Sequence, residues 1–291
     1  MKFTVSTGRR LMLFLCVTLL CFIIGSVAVG IVTYGGLSAP RLRIATVIQD
    51  VVMFIIPPVA TAVMITRRPA EFLLALKGLR PVPTLLTIAI VLASIPAMNA
   101  IISWNQNLTL PSSMGALEEW MRTSEAAAKN FTDTLLGGSG AGSLIMALLI
   151  VGLLAGLSEE LFFRGGLQRL LSTSGMNIHC AVWVTAFIFS AVHMQFFGFV
   201  PRLLLGAFFG YLAAWSGCIW LPVTAHALNN ALATVAFRLQ ESRGVNLDDI
   251  GTPAHSAGMV MCGASVVVTA LLLVLLYRWL SKERDSEDRE R

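Results

Sequence analysis

Eight stretches of this sequence, about residues 11–33, 44–66, 82–104, 143–163, 178–197, 199–217, 220–237 and 257–279, are apolar over nearly the length that a bilayer crossing needs. A transmembrane helix requires about 20 predominantly apolar residues. The expected fold is therefore all-α: a polytopic membrane protein with about eight transmembrane helices enclosing a polar intramembrane cavity. Hydrophobic residues make up 56% of the chain and charged residues 13%, a balance that excludes an ordinary soluble domain. The third and the fifth to seventh stretches are interrupted by prolines, glycines or polar groups. Lipid tolerates such breaks only where protein or a water-filled cavity satisfies the backbone, so the polar interior is expected in the second half. The first stretch follows Gly8-Arg9-Arg10, is too long for a signal peptide and lacks a clear cleavage site, and is expected to be a retained span.

Placing Arg9 and Arg10 in the cytoplasm puts 14 of the 21 Lys and Arg residues on that side and 7 on the other. This bias predicts both termini cytoplasmic, in a bacterial plasma membrane. The basic residues sit at the ends of apolar segments rather than in a patch, which argues for a lipid bilayer as partner and against nucleic acid. The five cysteines have neither disulfide nor CxxC spacing and read as packing residues. The long connection 105–141 carries Leu110, Met114, Leu117 and Met121 at helical spacing beside Trp120, the pattern of an amphipathic interfacial helix capping a cavity or of a plain connector. Its sequons at Asn107 and Asn130 are assigned no role, and His255 lies in a loop with none.

Ionisable groups inside spans are costly and ask for a function. Here they cluster: Ser158-Glu159-Glu160 with Arg164, Phe189 with His193, and His226 with Asn229 and Asn230. Residues four apart share a helix face, which pairs Glu160 with Arg164, Phe189 with His193, and His226 with Asn230. If the fourth helix runs through Leu171 and turns at 172–176, Glu159 and His193 stand at equal distances from the turn and so at one depth. His226 lies only about 9 Å into its own span at 1.5 Å per residue, and meets that pair only if the hairpin tip overhangs or the spans tilt.

A glutamate in apolar surroundings can act as general base for a water molecule, with a histidine orienting the water or protonating the departing amine. His226 and Asn230 on one face supply donors for a developing oxyanion. No serine or cysteine sits beside a histidine in a nucleophile setting, which favours a water mechanism. Asp50, ahead of Pro57-Pro58, is an outlier placed in the same cavity or at its mouth, without a catalytic role.

The order EExxxR at Glu159–Arg164, FxxxH at Phe189–His193 and HxxxN at His226–Asn230 resembles the CAAX protease and bacteriocin-processing family of intramembrane endopeptidases, which includes the Ras-converting prenyl protease. The resemblance covers about 143–238 and matches all three motifs without substitution. It implies that Glu159 activates water with His193, that His226 and Asn230 hold the oxyanion, and that Glu160, Arg164 and Phe189 support the site or bind a substrate carboxylate. The implied substrate is a peptide or membrane protein. The chain divides accordingly into 1–142, N-terminal helices and interfacial loop; 143–238, catalytic core; and 239–291, last helix and charged tail. A spacing of only 33 positions between the two motif histidines leaves little room for a substrate-binding loop, so substrate preference does not transfer with the motifs.

Other classes remain open on the residues. No cofactor is required, but Glu159, His193 and His226 are a possible Zn²⁺ ligand set, with Glu160 then the general base. A proton-coupled transporter would use the same buried groups as a relay, though its broken helices should recur in both halves. A non-catalytic scaffold would use the polar stripes to hold a partner helix, with Asn230 as interhelical glue.

Overall fold

The computed structural model describes residues 3–244, 250 and 256–289, and His255 lies outside them. Among the described residues there is no β-strand, only one isolated antiparallel bridge between Phe3 and Thr66. The long helices are α1 (Thr7–Thr33), α2 (Ala39–Ile65), α3 (Pro81–Gln106), α4 (Gly115–Leu136), α5 (Gly140–Thr173), α6 (Ile178–Ala191), α7 (Phe199–Ser216), α8 (Trp220–Arg243) and α9 (Ser256–Arg289). The chain is a polytopic all-α membrane protein. Among the described residues six helices are long and apolar enough to cross a bilayer: α1, α2, α3, α5, α7 with its preceding turn, and α9. The fifth and seventh expected spans differ for separate reasons. Helix α6 has only 14 residues, while α8, at 24, carries His226, Asn229, Asn230, Arg238 and Glu241.

Helices α2 and α5 widen into π-helical turns, and in each the local sequence supplies a reason. In α2 the wide segment Gln49–Ile55 lies directly ahead of Pro57-Pro58, which cannot donate to the preceding turn and would clash with its carbonyls. In α5 two wide segments, Leu148–Leu154 and Leu161–Gln168, flank the α-helical turn Ala155–Glu160. The second contains Gly165-Gly166, and Gly166 is where Phe14 of α1 and Pro58 of α2 press in, each 3.0 Å from where a Cβ would stand. Pro96 inside α3 is accommodated as lipid requires. The Ser265 hydroxyl of α9 inserts into the ladder one residue on, donating to Ala93 O at 2.5 Å and accepting from Ala97 N at 3.2 Å.

Up-and-down packing returns both ends of the chain to one end of the bundle. Phe3 pairs with Thr66 at the end of α2, Glu283 of α9 ion-pairs with Arg80 at the start of α3, and Ile219 N donates to Leu74 O at 2.9 Å. The connection at 105–141 is helical from Gly115, so Leu110 and Met114 precede the helix they were expected to join, set off by Pro111. Helix α4 does cap the core. Trp120 packs on Phe196 at 5.1 Å, Arg122 lies 4.5 Å over Phe197, and Glu125 accepts from Phe197 N at 3.3 Å. Glu118 pins the start of α4: the Leu110 N–H first, then the Arg122 side chain, hold its carboxyl below the usual carboxylate range.

Candidate active site

Glu159 and Glu160 sit on adjacent faces of α5 and have different surroundings. Glu160 is sealed from solvent, as is Arg164 one turn later, and Arg164 Nη1 donates to Glu160 Oε1 at 2.6 Å. The second guanidinium nitrogen donates to Gly206 O of α7 at 2.8 Å, and one turn further Gln168 Nε2 donates to Gly210 O at 3.0 Å. Those α7 carbonyls are reachable because both residues are glycine. A Cβ at Gly210 would stand 2.8 Å from Gln168 Oε1, and one at Gly206 3.1 Å from the Phe189 ring. The Arg164 guanidinium is caged by the rings of Phe189 and Phe209, at 4.8 and 5.4 Å. Arg164 therefore orients Glu160 and, being enclosed, is not placed to meet a substrate carboxylate.

The pair Arg164–Glu160 in turn orients His226. Its Nδ1 lies 2.7 Å from Glu160 Oε1, and its ring stacks on Phe209 with centroids 4.8 Å apart and planes at 20°. Glu160, bound by a guanidinium, is an acceptor, so Nδ1 carries the hydrogen and the tautomer is set. Nε2 then faces the second glutamate, 3.8 Å from Glu159 Oε2, too long for a direct hydrogen bond. The Glu159 side chain keeps 17% of its surface exposed. One glutamate is thus a sealed anchor and the other a partly exposed side chain whose Oε2 is buried without a hydrogen-bond partner, with a single imidazole between them.

Close approach of α8 to α5 explains how His226 reaches this depth. Gly152 and Gly156 of α5 face Ala231 and Ala227 of α8, and a Cβ at Gly156 would stand 3.1 Å from Ala227 N. The condition on His226 is met by overhang: α5 runs 13 residues past Glu160, about 20 Å, whereas His226 is six residues into α8, about 9 Å. The hairpin tip so extended is covered by Phe14, Ile65, Phe72 and Leu73. Gly156→Val is expected to cost about 1–3 kcal/mol by overpacking against backbone. It should also separate His226 from Glu160, which thermal unfolding in detergent and an activity assay together would register.

The turn between α5 and α6 falls where the sequence placed it, with Gly175 at φ +96° between Thr173 and Ile178. His193 follows the end of α6, where Met194 takes a left-handed φ of +53°. Its Nδ1 donates to Phe189 O at 2.7 Å, using the carbonyl one turn back that the ending helix leaves open. That bond commits Nδ1 and leaves Nε2 for chemistry. His193 interacts electrostatically with Glu159 and with His226, and the Phe189 ring lies edge-on to both histidines, at 5.1 and 5.8 Å. Asn230 is one turn beyond His226 and donates one amide hydrogen to Val151 O at 3.0 Å, a carbonyl in the widened part of α5. Its second amide hydrogen is not used in that bond.

The rings of Phe163, Phe189 and Phe209 pack around the polar cluster, and Glu159 is its partly exposed member. Among the described residues there is no group of three or more His, Cys, Asp or Glu side chains that could hold a metal ion. The structure also brings in residues that the sequence did not single out. Phe209 and the glycines of α7 were signalled by Gly206-xxx-Gly210, as was the α5–α8 contact by Gly152-xxx-Gly156. Arg202 of α7, bonded to Gln195 Oε1 at 2.5 Å, stands near Glu159, His193 and Glu125.

Fold and site together define a polytopic membrane protein with a paired-glutamate, two-histidine centre at the meeting of four helices. Residues 141–232, which carry α5 to α8 as far as Leu232, match the family described as type II CAAX prenyl endopeptidase Rce1-like. The chain is also similar to the uncharacterised protein YpbD of Bacillus subtilis (strain 168), 26% identical over 100 residues. That stretch spans 33% of this chain and about half, 48%, of the relative. No solved structure matches the chain.

Proposed function

We propose that the protein is an intramembrane endopeptidase that hydrolyses a peptide bond in a peptide or membrane-associated protein, using water activated by Glu159. The observation that carries this reading is the His226 imidazole held between sealed Glu160 and the partly exposed Glu159. The family match over the same four helices supports the reaction class.

In the proposed reaction Glu159 takes a proton from water as the water oxygen bonds to the substrate carbonyl carbon. Charge develops on the carbonyl oxygen, where a protonated His226 Nε2 and the second amide hydrogen of Asn230 serve as donors. Glu160, fixed by Arg164, holds the His226 ring in place through its contact with Nδ1. His193, its Nδ1 committed to Phe189 O, uses Nε2 to orient the water. Collapse breaks the C–N bond, and the proton on Glu159 passes to the departing amine, giving a carboxylic acid and an amine that exchange the remaining acidic proton to leave as carboxylate and ammonium. A resident metal is not needed for these steps, and the buried charges of α5 and α8 are all used within them.

The test compares membrane proteomes of cells carrying the wild-type protein and Glu159→Ala, with and without chelator. Precursors that accumulate uncleaved in the variant, and that purified wild-type protein then cuts, support the reading. A variant that retains full activity on such a substrate overturns it.

A further inference from the structure

The segment that carries His193 is irregular, and it is held by side chains that the reaction above does not use. Helix α6 ends at Ala191 and α7 begins at Phe199; between them Met194 takes its left-handed φ of +53°, one residue after His193. A residue with a side chain occupies that region only where its surroundings over-determine it. One constraint closes the neck of the loop, where Ser190 Oγ donates to Phe199 O at 2.7 Å. A second comes from α3. Its last turn buries Asn105, only 2% exposed, between exposed Trp104 and Gln106.

The Asn105 amide spans the turn Phe196–Gly198 that leads into α7: Nδ2 donates to Phe196 O at 3.3 Å, and Oδ1 accepts from Val200 N at 2.8 Å. These partners fix which way the amide points, because the reverse orientation would set its NH₂ against a backbone N–H and its oxygen against a carbonyl. Val200 N is among the first amide groups of α7, which have no partner within their own helix, and Gly198 ahead of them has no side chain to cap with. Asn105 therefore supplies, from 95 positions away, the cap that the local sequence omits. With the same group it ties down the carbonyl three residues after His193. Trp120 and Glu125 of α4 touch the same turn.

We infer that Asn105 is a positioning residue for His193: by binding the turn 196–200 at two points it holds the loop in its left-handed conformation and keeps the His193 ring on Phe189 O, leaving Nε2 for the water. The inference rests on the role proposed for His193 above. It brings α3, which lies outside the stretch that matches the family, into the assembly of the active site. Without that amide Met194 is free to relax to an ordinary φ. The imidazole is then free to leave Phe189 O, and its hydrogen exchanges between the two ring nitrogens.

Two arms test it on the full-length protein in detergent. The first uses NMR of ring-¹⁵N-labelled histidine at mildly alkaline pH, above the usual imidazole range. The His193 signal, recognised by its loss in His193→Gln, should show hydrogen on Nδ1 alone. In Asn105→Ala the two His193 nitrogens should move toward a common averaged shift, while the His226 signal stays in place. Asn105→Asp, equal in size and still an acceptor for Val200 N, gives up only the donor to Phe196 O. It keeps the α7 cap should the alanine variant not fold, and should show the same averaging. Ser265→Ala is the structural control: it removes a buried group that likewise bridges two backbone atoms of one helix, and should lower the unfolding temperature without moving the His193 signal. The second arm follows cleavage of a quenched fluorogenic peptide bearing a prenylated cysteine. Both Asn105 variants should lower kcat about 10- to 100-fold with KM nearly unchanged, and Ser265→Ala should leave both constants at wild-type values. An unmoved His193 signal or a wild-type kcat in the folded Asn105 variants overturns the inference. So does averaging of the His193 signal in Ser265→Ala, which would make the effect one of general loosening. If wild type does not cut the peptide, the protease reading loses its support on that probe, and the ring spectra still decide whether Asn105 holds His193.

Discussion

Glu159→Gln is expected to lower kcat by about 10²- to 10⁴-fold, the range that a positioned general base contributes. Glutamine preserves the size of the side chain and its capacity to hydrogen-bond, but cannot take a proton from water. The residue is partly exposed, makes no direct hydrogen bond to His226 at 3.8 Å and does not belong to the sealed Arg164–Glu160 pair. Its replacement should therefore leave the unfolding temperature and the binding of uncleaved substrate near wild-type values. The decisive measurement is single-turnover cleavage of a substrate identified from the variant's membranes, alongside thermal unfolding. Retention of the wild-type rate would remove Glu159 from the mechanism. Equal loss of rate and of fold would recast it as a structural residue.

Arg164→Leu is expected to have the largest effect on stability. It leaves the Glu160 carboxylate charged and enclosed, with His226 Nδ1 as its one remaining donor, and strips Gly206 O of a partner. Breaking one side of a buried pair typically costs about 3–5 kcal/mol. The matched double replacement Glu160→Leu with Arg164→Leu removes both charges and should cost less than the single change. The double variant should fold yet be inactive, because His226 has then lost the carboxylate that sets its tautomer. Thermal unfolding of the two variants, with cleavage measured on the one that folds, separates charge burial from catalysis. A double variant less stable than Arg164→Leu would contradict this account.

How much of the site could be read in advance depends on distance along the chain. Glu160–Arg164 and Phe189–His193 follow from the pitch of a helix, and the structure realises both as direct contacts. The Glu159–His193 match followed from counting back from the turn, and the two groups interact. His226 is where counting along the chain left the depth open. Its depth depends on how far the α5–α6 hairpin overhangs α8, and that is set by Gly152 and Gly156 against Ala227 and Ala231. Asp50 was visible as an outlier, but its neighbours lie more than 100 positions away.

The sequence by itself determined that the chain is a helical membrane protein, which polar residues are the candidates for its chemistry, and which of them pair within a helix. Those properties are local: the bilayer demands long apolar helices, and 3.6 residues per turn put side chains four apart on one face. Only the tertiary structure decided that Glu160 is sealed while Glu159 stays partly exposed, and that Arg164 is spent on the scaffold. Those properties turn on close approach between helices far apart in sequence, where an absent side chain admits a backbone or a ring within 3–4 Å, and no periodicity along one helix records which neighbour will come that near.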